Sequence, residues 1–175
     1  MIEAFKNCKT DKKLVIAGGS ESNKDYYNQL LALANGDERI IFTGYVYGQE
    51  VQELYSNAYI FALPSNLEGM ANALLEAMSY GNCCLISDIP ENTEVVHKKA
   101  VWFEKGNAID LQEKLQGLLD DLELVKKYKI EAAPYILEKY NWDIVVDQML
   151  RVYAGDVVDY NTVLQERECS NGEKI

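Results

Sequence analysis

The chain has 175 residues, 48% of them apolar, three prolines and a formal charge of −11, which fits one domain large enough to bury a sizeable core. The acidic balance, with no Lys/Arg cluster interleaved with aromatics to offset it, argues against nucleic acid as a partner, since phosphate backbones are repelled. No run of roughly 18 apolar residues exists to span a bilayer, and Met1-Ile-Glu-Ala-Phe-Lys6 lacks the basic-then-apolar order of a secretory signal, so a cytoplasmic setting is expected.

In chain order, Lys13-Leu-Val-Ile-Ala17 is a short apolar run ending at Gly18-Gly19, followed by a polar stretch and a helical pattern from about Asp25 to Ala34. A second strand, Arg39-Ile-Ile-Phe-Thr43, stops at Gly44. A helix through Glu50-Val-Gln-Glu-Leu-Tyr55 then leads into a third strand, Ala58-Tyr-Ile-Phe-Ala-Leu63, which Pro64 ends because it has no amide to donate. The next helix begins near Met70 to Asn72, carries Ala73-Leu-Leu-Glu-Ala-Met78 and closes at Gly81, a natural C-terminal cap. A fourth strand, Cys83-Cys-Leu-Ile-Ser87, a turn at Asp88-Ile-Pro90, a short helix near Glu91–Val96 and a fifth strand, Ala100-Val-Trp-Phe103, follow. Helices over roughly 108–120, 122–138, 142–153 and 156–168 finish the chain, and the tail Cys169–Ile175 reads as mobile.

Short, nearly all-apolar strands alternating with helices are what a parallel sheet covered on both faces requires. The expected fold is therefore α/β and Rossmann-like, with a helical C-terminus. In such sheets ligands bind beyond the carboxyl ends of the strands, near the point where strand order reverses. Gly18-Gly19, Gly44-Tyr45-Val46 and the stretch from Pro64 to Asn72 all stand at such ends. The helix that starts near Asn72 offers free amides and a partial positive charge, and so suits an anion without any basic side chain. Gly69 carries no Cβ to obstruct a close approach, and Ala71 keeps the next surface low. Glu76, about one turn into the helix among Leu74, Leu75, Ala77 and Met78, is expected to emerge from largely apolar surroundings, where a charge needs partners.

The cysteines Cys8, Cys83, Cys84 and Cys169 form no CxxC pair and read as reduced thiols. His97 is the one histidine, which excludes a His-rich metal site and argues against a Ser-His-Asp triad. No Asp-x-Asp pair is present to hold a divalent cation on a diphosphate, so neither a metal nor any other cofactor is expected.

Glu68 and Glu76, with seven residues between them, lie in Leu63-Pro-Ser-Asn-Leu-Glu-Gly-Met-Ala-Asn-Ala-Leu-Leu-Glu-Ala-Met-Ser-Tyr-Gly81. This string resembles the Glu-x7-Glu signature of the retaining, group 1 (family 4-like) glycosyltransferases of GT-B fold, and the similarity continues through Ser87-Asp-Ile-Pro90 and Glu94-Val-Val96. The resemblance is to the C-terminal, donor-binding half of that fold. It implies a transferase that moves a hexosyl group with retention from a nucleotide diphosphate sugar, UDP-, GDP- or ADP-linked, to an acceptor hydroxyl, as in polysaccharide biosynthesis. The donor-contacting residues it implies are Gly18, Gly19, Tyr45, Val46, Glu68, Gly69, Met70, Ala71, Asn72, Leu75 and Glu76. Glu68 is the implied catalytic residue at the sugar end. Glu76 would grip the two vicinal ribose hydroxyls, Thr43-Gly44-Tyr45-Val46 would line the base pocket through its backbone, and the helix amides would take the diphosphate between the two acids. Met70 and Ala71 stand where the family often has Phe and then Gly or Pro.

The resemblance also implies what should lie outside this sequence: a strand and a glycine-rich loop with an Arg and a Lys ahead of Ile2-Glu-Ala-Phe5, and an N-terminal Rossmann domain that supplies the acceptor site. Residues 1–155 are thus expected to form a nucleotide-sugar-binding domain that is inactive alone, and 156–175 a C-terminal helix and tail. That helix could dangle, pack on its own domain or mediate a dimer; peripheral membrane association would come only through the other domain. The competing reading is a non-catalytic α/β interaction module derived from a transferase.

Overall fold

The computed structural model describes residues 1–21 and 23–155. The expected helix over 156–168 and the tail Cys169–Ile175 lie outside the described residues. The order of elements is α1 (Ile2–Lys6), β1 (Leu14–Ala17), α2 (Lys24–Ala34), β2 (Ile40–Gly44), α3 (Gln49–Asn57), β3 (Phe61–Leu63), α4 (Asn72–Ser79), β4 (Cys84–Ser87), α5 (Pro90–Val96), β5 (Val101–Phe103), α6 (Ala108–Asp120), α7 (Leu122–Lys139) and α8 (Trp142–Tyr153). Two compact units divide the chain, Met1–Ile136 and Leu137–Ile175, and the five strands among the described residues belong to the first.

Among the described residues every strand pairing is parallel, as the alternation of apolar strands with helices predicts. The strands form two ladders. In one, β1 pairs with β2 in the register Leu14↔Ile40, Val15↔Ile41 and Ile16↔Phe42. In the other, β4 lies between β3 and β5, with Phe61↔Cys84 on one side and Leu85↔Val101 on the other. All four residues of β4 are buried, as a central strand covered on both faces requires. Residues Ala4, Phe5 and Cys8 on and after α1, Leu111, Leu115 and Leu118 on α6, and Val125 on α7 close over Cys83, Leu85 and Phe103 in one core cluster.

Two expectations are corrected. The third strand does not start at Ala58: only Phe61–Leu63 joins the ladder. The Ala58 carbonyl instead accepts from Lys129 Nζ at 2.6 Å, and Lys12 Nζ sits 4.0 Å over the Tyr59 ring, so Ala58 and Tyr59 are engaged by side chains before pairing begins. The first two strands are not covered on both faces, because Val15 and its partner Ile41 are 42% and 37% exposed. Only the opposite face of this ladder is packed, with Leu14 and Ile40 against the core and Phe42 edge-on to Tyr27 of α2, ring centroids 5.8 Å apart.

Since alternate residues of a parallel strand face one neighbour, the Leu14 N–H, donating to Arg39 O at 2.9 Å, turns the Val15 N–H away from β2. Amide exchange should show it: the Leu14 amide is expected to exchange at least ~10-fold more slowly than that of Val15, because only the first is held in a ladder bond.

The start of β2 is tied to α1 by Arg39. Its guanidinium donates to both Asp37 oxygens, at 2.9 and 2.7 Å, and to the carbonyls of Cys8 and Thr10, at 3.0 and 3.1 Å. It also lies over the Phe5 ring, 4.8 Å from the centroid. The bidentate Arg39 hydrogen bonds hold the Asp37 carboxyl down, from its ordinary 3.8 to about 2. A carboxyl depressed in the folded state adds stability that is fully present above about pH 4 and is lost as pH falls through about 2. Asp37→Asn should therefore lower the melting temperature at pH 6 but narrow its gap to the parent chain between pH 4 and pH 2, as followed by circular dichroism. At the core, Leu74→Ala, at a residue with no exposed surface, should cost about 2–5 kcal/mol in urea unfolding.

Candidate functional site

The stretch joining β3 to β4 carries both acids, and its geometry is set at the two ends of α4. At the amino end Ala71 is the N-cap residue and no side chain caps the helix; the Asn72 N–H donates to Met70 O and the Leu74 N–H to Ala71 O, both at 2.8 Å, and the first turn keeps the partial positive charge of a helix start. At the other end Tyr80 is the C-cap and Gly81 takes φ +71°. The Gly81 N–H donates to Met78 O at 2.9 Å and the Asn82 N–H to Ala77 O at 3.1 Å, the paired bonds of a Schellman cap. A Cβ at Gly81 would stand 3.3 Å from the Lys129 carbonyl oxygen, a second reason for glycine there. Buried Asn82 donates to Ala77 O at 3.0 Å and to Tyr55 O at 2.9 Å, which fastens the end of α4 to α3.

Glu76 is exposed on α4 and lines a cleft of about 370 Å³ with Val46, Tyr47 and Gly48 from the turn after β2, Val51, Gln52 and Tyr55 from α3, and Tyr80. The surroundings combine three tyrosines with Val46 and Val51. Tyr55 stacks on Tyr80 with centroids 5.5 Å apart, and it meets Phe61 at 5.8 Å. Burial, then the charge of Glu76 and its hydrogen bonding, pushes the Tyr55 hydroxyl up to about 12, so the phenol stays protonated as a donor facing that carboxylate. Tyr55 therefore faces the cleft and is not only the core residue that its place in the sequence suggests.

Glu68 is half-buried and belongs to a separate group of contacts. Its Oε1 accepts from Ser65 Oγ at 2.6 Å, and the Ser65 carbonyl accepts from Ser87 Oγ, also at 2.6 Å. Ser87 ends β4, the strand beside β3, and this places its hydroxyl under the Pro64–Ser65 turn. Gly69 follows with open space where a Cβ would stand, while Met70 is exposed. Ala71 is buried as a whole residue, at 3% exposure, so it offers a ligand little surface. Asn72 is exposed and Leu75 half-buried.

A third group joins the first two turns. The Gly18 N–H donates to Gly44 O at 2.7 Å, and a Cβ on Gly19 would lie 2.9 Å from the Tyr45 ring, so this glycine lets the ring rest on the turn after β1. Tyr45 in turn stacks on Tyr47, centroids 6.4 Å apart and planes 15° from parallel. The structure thus brings Gly18 and Gly19 to Tyr45, and Val46 to Glu76, and holds Glu68 and Gly69 at the turn ahead of α4. Ser65, Tyr55, Tyr80 and Ser87 were missed as site residues by sequence reasoning. Ser65, Tyr80 and Ser87 do stand in the quoted resemblance, and that was the available signal; nothing local marks Tyr55.

Cys8, Cys83 and Cys84 are buried free thiols. Burial raises all three, Cys83 to about 12. Among the described residues no group of three or more His, Cys, Asp or Glu could hold a metal, and no helix is long and apolar enough to cross a membrane.

Residues 1–134 match the family model "Glycosyl transferases group 1". An uncharacterised glycosyltransferase of Methanocaldococcus jannaschii is 27% identical over 81% of this chain and 36% of its own length. An N,N′-diacetylbacillosaminyl-diphospho-undecaprenol α-1,3-N-acetylgalactosaminyltransferase of Campylobacter jejuni is 33% identical over 59% of this chain and 28% of its own. The chain therefore spans about a third of the length of these relatives. Among solved structures, Anabaena HepE in complex with UDP and glucose superposes with a TM-score of 0.81 at 16% identity, over 88% of this chain and 43% of that one. The fold is that of one half of a GT-B glycosyltransferase, and the chain belongs to the group 1 glycosyl transferases.

Proposed function

We propose that this chain is the donor-binding half of a retaining glycosyltransferase and that it binds a nucleotide diphosphate sugar beyond the carboxyl ends of its strands. The observation that carries the reading is the joining of Val46 and Glu76 in one cleft walled by Tyr47, Tyr55 and Tyr80, on a helix whose start carries no side-chain cap. A nucleoside fits the cleft, with its base against the Tyr45–Tyr47 turn and its two ribose hydroxyls donating to the Glu76 carboxylate. The diphosphate then falls at the start of α4, and the sugar at Glu68 and Gly69. The complexes of Anabaena HepE with UDP, glucose and UDP-glucose support a uridine nucleotide as the first donor to try.

Retaining transfer needs charge stabilisation on the departing diphosphate and an acceptor hydroxyl held in line with the sugar. On this reading the α4 amides supply part of the first, and Glu68 the contact at the sugar. Basic groups on a strand and loop ahead of α1, together with a second domain, supply the rest. The exposed Tyr47, Leu67 and Met70 suit a cleft that such a domain covers.

UDP, GDP and ADP, each at millimolar concentration, are the direct test: the chain's melting temperature should rise with at least one, since a ligand at a hundred times its Kd adds about 2.7 kcal/mol. No rise with any of the three would remove the site. Glu76→Gln should weaken the successful nucleotide roughly tenfold or more, because a hydrogen bond to a charged group contributes about 1.5–3 kcal/mol. Titration calorimetry should find a smaller loss for the 2′-deoxy nucleotide, which lacks one of the hydroxyls Glu76 would hold. The chain alone should transfer no sugar from a radiolabelled donor.

A further inference from the structure

We propose that Asn92 is a positioning residue for Glu68, acting through Ser87 and the backbone of Ser65 along a series of hydrogen bonds. Asn92 Nδ2 donates to Ser87 Oγ at 3.2 Å and to Ser87 O at 3.4 Å. Ser87 Oγ donates to Ser65 O at 2.6 Å, and Ser65 Oγ donates to Glu68 Oε1 at 2.6 Å. The chain crosses three elements, from α5 through the end of β4 to the turn after β3.

Its direction is fixed at the buried end. An amide NH₂ can only donate, so Ser87 Oγ accepts from Asn92 and commits its single proton to the Ser65 carbonyl. That bond sets the height of the Pro64–Ser65 turn over β4, and the turn aims the Ser65 hydroxyl at Glu68. Asn92 and Ser87 are 0% and 1% exposed, so water cannot stand in for a lost partner. Asn92 Oδ1 is buried without a hydrogen-bond partner, at a free-energy cost the fold would avoid if another amide orientation served as well. The Asn92 amide is thus held by what its nitrogen reaches, and the other end of that reach is the carboxylate at the turn. Glu76 has no part in the chain: it faces Tyr55 in the aromatic cleft. The two acids of the signature are therefore positioned by separate sets of residues.

The inference rests on the donor-site reading only for the purpose of the positioning; the hydrogen-bond chain is testable without ligand. With carboxyl-¹³C-labelled glutamate, the Glu68 side-chain resonance at pH 7 should move in Ser87→Ala and in Asn92→Asp in the direction that Ser65→Ala moves it, by at least half as much. The Glu76 resonance should stay in place, and Ser65→Thr, which keeps the hydroxyl, should return Glu68 to its parent position. Asn92→Asp places a carboxylate in a dry site, so Ser87→Ala serves if that variant does not fold. A Glu68 resonance unmoved in the folded Ser87→Ala chain, or one that moves together with Glu76, would overturn the proposal. Failure of the donor site is separately visible: UDP-glucose, GDP-mannose and ADP-glucose would then all leave Glu68 of the parent chain unperturbed while the Ser87 variant still moves it.

Discussion

The parallel ladder on both sides of β4 is the constraint from which the site takes its form. Because Cys84–Ser87 is buried throughout and paired on each side, the end of the strand is a fixed point against which the Pro64–Ser65 turn and α5 are both set. Ser87 uses its carbonyl and hydroxyl to meet α5 and its hydroxyl to meet the turn, so one residue at a strand end registers two loops. The Schellman cap at Gly81 does the complementary work below, returning the chain from α4 into β4 at a fixed angle. A helix held at one end by its cap, with its other end released beside a turn held from beneath, can present a start that no side chain caps without losing its place.

Much of this was legible in the residues. Pro64, Gly81 and the apolar run of Cys83–Ser87 bound the two strands and the helix between them, because each acts through local backbone chemistry. The spacing of Glu68 and Glu76 put one acid ahead of α4 and the other within it, as found. What the sequence did not disclose depends on contacts distant along the chain. Ser65 and Ser87 meet across 22 residues. Tyr55 reads as a packing residue in any local window, and it does pack, on Tyr80 and Phe61. Its hydroxyl is what a window cannot place.

The misread elements share a cause. Ala58-Tyr-Ile60 has the composition of a strand, yet lysines from elsewhere take the Ala58 carbonyl and the Tyr59 ring. Val15 and Ile41 are as apolar as residues of β4 and stand exposed, because residue type shows that a side chain prefers burial and not that a neighbour arrives to bury it. Family membership rests on firmer ground than any of these single positions, since the match runs over residues 1–134.

The free amino end of α4 in so acidic a chain has a kinetic corollary. An approaching polyanion first meets the repulsive field of the whole molecule, net −11, and only within a few ångströms the attraction of the helix amides. Mobile ions weaken the long-range part, over a Debye length of about 10 Å at 0.1 M, more than they weaken the contact itself. Moderate ionic strength should therefore quicken the capture of such a ligand, the reverse of the behaviour of proteins that collect anions with a basic funnel.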